Sequence, residues 1–214
     1  MTADRADSPA DDFRADRSPR DVGAAGDDGG RLESIGRFAR NTGLSVGALR
    51  HDLTTEREKI MPSSTFALDP DDERRLAAAL FNRTWELLMK PERSIADDDE
   101  MIHAAHASRY HWGVVGTPVN FARGEWQCTR VYSVLGRAEP ALHHARRCLS
   151  LATENDLGAF DIGAANEAMA RAYRVAGDPD RVAIYVAAAD DAATQVTDAE
   201  DRKILEDDLA DLRP

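Results

Sequence analysis

The sequence predicts an all-α protein whose body is a row of stacked antiparallel helical hairpins, and three observations carry that prediction. The chain is 43% hydrophobic but only 6% aromatic, with alanine supplying much of the apolar share, which suits closely approaching helices. Few stretches alternate β-branched and polar residues as a strand would. Helix-start signals recur as well: Asp69-Pro70, Ser94 with Asp97, Thr117-Pro118 and Asp178-Pro179 each place a capping side chain or a proline at a first turn. Finally, Arg130, Tyr132, Val134 and Gly136 recur as Arg171, Tyr173, Val175 and Gly177, a constant offset of 41 residues. A fixed period of this size marks stacked hairpins, because one hairpin alone cannot bury its apolar face.

Residues 1–30 are Asp-, Arg-, Ala- and Gly-rich with Phe13 as their one aromatic. They bury too little apolar surface to offset ordering entropy, so a disordered acidic arm is expected. Residues 31–53 place Ile35, Phe38 and Ala39 on one helical face, turn at Thr42-Gly43, and offer Ser45 as the cap of a second helix carrying Val46, Leu49 and Arg50. Helix, short glycine turn, helix is the helix-turn-helix pattern. Residues 54–66 read as a linker and residues 67–214 as the helical body.

In the body, Asp69 caps a helix whose expected apolar stripe is Leu76, Leu80, Phe81, Leu87 and Leu88, and Pro91 ends it. The next helix opens at Ser94 and runs to Trp112, with a break expected between Gly113 and Gly116. Thr117-Pro118 starts the helix that ends at the Gly136 turn, and Glu139 to Thr153 is its return partner. Helices from about Ala159 to Ala176 and from Pro179 onward make a third hairpin. A final helix, about Asp198 to Leu212, turns Ile204, Leu205, Leu209 and Leu212 inward. Its acids, Asp208 and Asp211 among them, are expected to stay wet, as the outer face of a terminal cap requires. Seven helices thus follow residue 69.

The formal net charge is −12, unevenly spread: residues 1–30 carry 4 basic against 8 acidic side chains, residues 31–69 carry 6 against 5, and residues 70–214 carry 17 against 26. Most of the chain should repel nucleic acid and anionic membranes. Cys128 and Cys148 lack CxxC spacing and read as small buried thiols. No apolar run approaches the length of a signal sequence or a membrane span, so no membrane partner and a cytoplasmic location are expected.

The run Ile35-Gly36-Arg37-Phe38-Ala39, Thr42-Gly43-Leu44-Ser45-Val46 and Ala48-Leu49-Arg50-His51 resembles the start of MerR-type transcription regulators. In that family the second helix reads DNA, so the resemblance implies a DNA partner contacted through Ser45, Arg50 and His51. From Asp52 onward the chain departs from the family, with no Gly-Tyr-Arg wing and no long dimerising helix before Pro62. The segment is therefore a helix-turn-helix remnant, and the oligomeric state is left open. The central hairpin is similar to a tetratricopeptide repeat: Tyr132, Gly136, Ala141 and Cys148 fall at that family's positions for the packing tyrosine, the turn and two small residues. Thr129, Ala145 and Thr153 depart from it, as does the longer period. The likeness implies an α-solenoid that binds a protein or peptide segment in a groove.

No phosphate loop, nucleophile elbow or paired-cysteine metal frame appears, so no catalytic residue and no cofactor is expected. The one metal-like pattern is Asp99-Glu100-Met-Ile-His103-Ala-Ala-His106, with a Glu-x-x-His spacing that lacks the second copy a dinuclear bundle site needs. A metal-dependent enzyme using His103 and His106 is the alternative to a polar helix face, which is the reading preferred. His143 and His144 are adjacent, point apart, and offer at most one ligand between them. For a binding protein, the candidate groove residues are Trp112, Asn120, Arg123, Trp126 and Arg130. The polar members recur at helical steps, and Arg and Trp are favoured at interface hot spots.

Overall fold

The computed structural model describes residues 68–213. The arm, the helix-turn-helix segment with Ser45, Arg50 and His51, and the linker lie outside the described residues. Within them the chain is all-helical, with seven helices and no strand. They are α1 (Pro70–Leu88), α2 (Ile95–Val115), α3 (Pro118–Val134), α4 (Ala138–Glu154), α5 (Ala159–Ala176), α6 (Pro179–Ala193) and α7 (Ala199–Ala210).

Local chemistry explains most helix ends. Asp69 Oδ1 accepts from the Asp71 amide at 2.9 Å, with Pro70 at the first helical position of α1. Ser94 and Asp97 close a reciprocal capping box at the start of α2, the Ser94 amide donating to Asp97 Oδ2 at 2.8 Å. Asn120, at the third position of α3, accepts from the Thr117 amide at 2.9 Å and from its hydroxyl at 3.0 Å. Gly136 and Gly177 end α3 and α5 with φ of 68° and 75°, the left-handed conformation glycine adopts without steric cost.

Helix α2 runs through Gly113 to Val115 rather than stopping after Trp112, and Gly116 caps it. An isolated glycine costs a helix only about 1 kcal/mol, which the packing of Trp112 in the interior offsets. Of the expected stripe of α1, Phe81 and Leu87 are buried and Leu80 and Leu88 half-buried, so only Leu76 departs from it. Ala77, Phe81, Trp85 and Leu87 are buried, whereas Leu76 lies at the surface.

Helices α1 with α2, α3 with α4, and α5 with α6 pack as hairpins. Between hairpins, α2 packs on α3, α4 on α5, and α3 on α5. Neither α2 with α4 nor α4 with α6 makes such a contact. Each of those pairs therefore flanks a gap, floored by α3 in the first case and by α5 in the second. Helix α7 closes against α5 and α6.

The main core joins Phe81, Trp85 and Trp126 to a bed of small residues, Ala141, Ala145, Cys148, Ala152, Ala165 and Ala168. Small side chains let the backbones approach, which explains an apolar fraction rich in alanine and poor in aromatics. Val186, Ala189, Leu205, Leu209 and Leu212 form a second cluster that seats α7. No helix among the described residues is long and apolar enough to cross a membrane.

Candidate functional site

Spacing on α3 predicts a polar face, and the structure shows what that face meets. Trp126 packs against Trp85 with ring centroids 5.5 Å apart, and its indole N–H donates to Glu167 Oε2 at 2.9 Å. Arg130 donates to Glu167 Oε1 at 2.8 Å and also reaches Asp208 on α7. Arg171 donates to the same Glu167 oxygen and forks onto Asp211 at 3.1 Å. Arg123 grips Asp161 through Nε at 2.7 Å and Nη2 at 3.2 Å, a bidentate pair.

Trp112 is buried, and the Asn120 side chain is spent on the Thr117 cap of α3. All five predicted groove residues are thus engaged inside the fold, and α7, which packs on α5 and α6, reaches Arg130 through Asp208. Asp211 stays nearly half exposed, as expected, whereas Asp208 does not, and both acids are paired. They are the counter-charges of Arg130, Arg171 and Arg174, with the Asp208 side chain 18% exposed. The helical period told which α3 side chains share a face; it held no information on which side α7 would lie.

An open surface lies in the gap between α4 and α6, a cleft of about 510 Å³. Its floor is Met169 and Tyr173 of α5. Its walls are Arg146, Ser150 and Thr153 of α4 and Arg181 and Tyr185 of α6. Tyr173 and Tyr185 stack with centroids 5.6 Å apart and planes inclined by 10°. The Arg181 guanidinium lies 5.1 Å from the centre of the Tyr173 ring and donates to the Tyr173 hydroxyl at 2.8 Å. It also pairs with Asp178 at 3.6 Å, both side chains being well exposed. Arg146 makes no ion pair among the described residues. In a chain with a net charge of −12, two such guanidinia beside a tyrosine stack form a local cationic site. The sequence marks Tyr173 through its period, but Arg146 and Tyr185 are drawn in only by the tertiary packing.

His106, on α2, meets His144 of α4 and Cys128 of α3, all three offering a ligand atom within 4.8 Å of the others. His103 lies one turn earlier on the exposed side of α2 and is not part of that group. Both cysteines are buried and free, and burial pushes both thiols above their ordinary range. Comparison of the chain with protein-family models, with curated proteins and with solved structures returns no match.

Proposed function

We propose that residues 67–214 are a tetratricopeptide-like docking module without catalytic chemistry, which holds an acidic protein segment in the cleft between α4 and α6. The observation that carries this reading is the pairing of Arg146 and Arg181 with the Tyr173–Tyr185 stack in an open gap of an otherwise acidic body. Carboxylates of a partner gain charge-assisted hydrogen bonds from the guanidinia, and the tyrosines supply rigid apolar area at low entropic cost. Residues at the 41-residue offset support the repeat reading. Gly136 and Gly177 share a left-handed turn. Tyr132 stacks on His144 as Tyr173 stacks on Tyr185, with 5.6 Å between centroids in both.

The test is fluorescence polarisation of a labelled Asp/Glu- and Tyr-containing peptide with the full-length chain, alongside a Lys-for-Glu counterpart. Salt-sensitive binding of the acidic peptide is expected, weakened roughly tenfold or more in the Arg146→Glu, Arg181→Glu double variant. Equal binding of both peptides, or unchanged affinity in the folded double variant, contradicts the reading.

A further inference from the structure

The gap between α2 and α4 occupies the same place one hairpin earlier, and its floor and wall differ in a telling way. At the constant offset of 41 residues, Met169, Tyr173 and Tyr185 of the later gap correspond to Cys128, Tyr132 and His144 of the earlier one. The later hairpin fills these positions with a thioether and two phenol rings. A thiol and an imidazole in the earlier one are therefore not demanded by the hairpin packing itself. From α2, the ring of His106 closes the group, 5.2 Å from the centre of the His144 ring and 5.7 Å from that of Tyr132.

We propose that His106, Cys128 and His144 form a binding site for zinc(II), three ligands from three consecutive helices. Their nitrogen and sulfur atoms already lie within 4.8 Å of one another. Bonds of about 2.0–2.3 Å in a tetrahedral site need ligand atoms roughly 3.5 Å apart, so side-chain adjustments of about 1 Å complete the geometry. Two imidazoles and one thiolate form a donor set of borderline softness, which suits zinc(II) better than the oxygen-seeking magnesium and calcium ions.

The surroundings of the group point the same way. His144 Nδ1 lies 2.7 Å from Glu125 Oε2, a contact that commits Nδ1 to the carboxylate and leaves the Nε2 lone pair for an ion. Glu125 is itself held by Arg109 Nε at 3.0 Å and Arg147 Nε at 3.2 Å. A carboxylate that orients a ligating histidine and is oriented in turn is the usual outer support of a protein metal site. The Tyr132 hydroxyl lies 2.8 Å from His106 Nε2 and fixes that ring beside the group. Cys128 is fully buried while the two histidines sit nearer the surface. The ion thus enters past the imidazoles and displaces the Cys128 thiol proton to solvent, forming the zinc–sulfur bond as the sulfur–hydrogen bond breaks.

Cobalt(II) titration of the untagged, reduced, chelator-stripped full-length chain tests the site. A stoichiometric near-ultraviolet thiolate-to-cobalt charge-transfer band is expected, and zinc(II) should bleach it. Cys128→Ser should abolish the band and Cys148→Ser, at an equally buried thiol, should retain it. His144→Gln at the half-buried wall keeps the test decisive if Cys128→Ser does not fold, and should weaken cobalt binding by tenfold or more. Absence of the band in the unmodified chain, its persistence in Cys128→Ser, or unaltered affinity in His144→Gln overturns the site. A band that zinc(II) does not bleach overturns the choice of ion.

Discussion

Replacing Glu167 by glutamine is expected to destabilise the protein by about 3–5 kcal/mol, the cost typical of removing one partner from a buried charge group. Glu167 is 1% exposed. It accepts from the Trp126 indole, from Arg130 and from Arg171, so α3 and α5 are joined through one carboxylate. Glutamine keeps a single acceptor oxygen and no charge, leaving two guanidinia that are themselves buried with only Asp208 and Asp211 to neutralise them. Urea denaturation followed by circular dichroism measures the loss. Trp126→Phe, which keeps an aromatic ring beside Trp85 but removes the indole donor and part of the packed volume, should cost about 1.5–3 kcal/mol. The two substitutions share an atom pair, so the double variant should fall clearly short of their sum. A Glu167→Gln loss below about 1 kcal/mol would mean that the carboxylate does not organise the α3–α5 junction.

Acidification should remove a comparable share of stability between about pH 5 and pH 2. Burial pushes the Glu125 carboxyl upward, but the hydrogen bond from His144 and the charge of Arg109, with Arg147 beside them, outweigh it and bring it down to about 2. Burial likewise raises Asp211, and Arg171 and Arg174 reverse this to about 2. Both carboxylates are thus more acidic folded than unfolded. Their contribution is complete above the ordinary carboxylate range and disappears as pH falls through that range toward the folded values. For Glu125, whose side chain is 4% exposed, the shift corresponds to about 3 kcal/mol at most. For Asp211, nearly half exposed, solvent screening makes it smaller. Denaturation curves of chelator-treated protein at stepped pH should show this decline. Glu125→Gln should be less stable at pH 7 and lose less between pH 5 and pH 2. A parallel decline in the variant would assign the acid sensitivity to other groups.

The sequence announces its helices where the signal is local. The caps at Asp69, Ser94 and Thr117, the prolines that follow two of them, and the turns at Gly136 and Gly177 each depend on a few consecutive residues. Which face each helix buries is less legible. On α1, Phe81 and Leu87 of the expected stripe are buried, but Ala77 and Trp85 join them in place of Leu76, because the facing core is a bed of small residues that accepts a large ring.

What the sequence hides is set by contacts far apart along the chain. Asp208 lies 78 residues from Arg130, and nothing in the period of α7 says that one of its acids reaches α3. Cys128 reads as a buried thiol, and it is one. The two imidazoles that meet it come from α2 and α4, and neither sequence neighbour of interest, His103 or His143, belongs to the group. The cleft between α4 and α6 has the same origin, since Arg146, Tyr173 and Arg181 converge only when three helices have packed.

A partner is expected to dock in the α4–α6 cleft and not on the polar face of α3 that Asp208 of α7 reaches. Nitrogen-15 correlation spectra of the full-length chain titrated with the acidic peptide separate the two directly. Amide shifts should concentrate at Arg146, Ser150, Thr153 and Arg181, and the indole signals of Trp112 and Trp126 should stay in place. Movement of those indole signals with the cleft amides unmoved would contradict it.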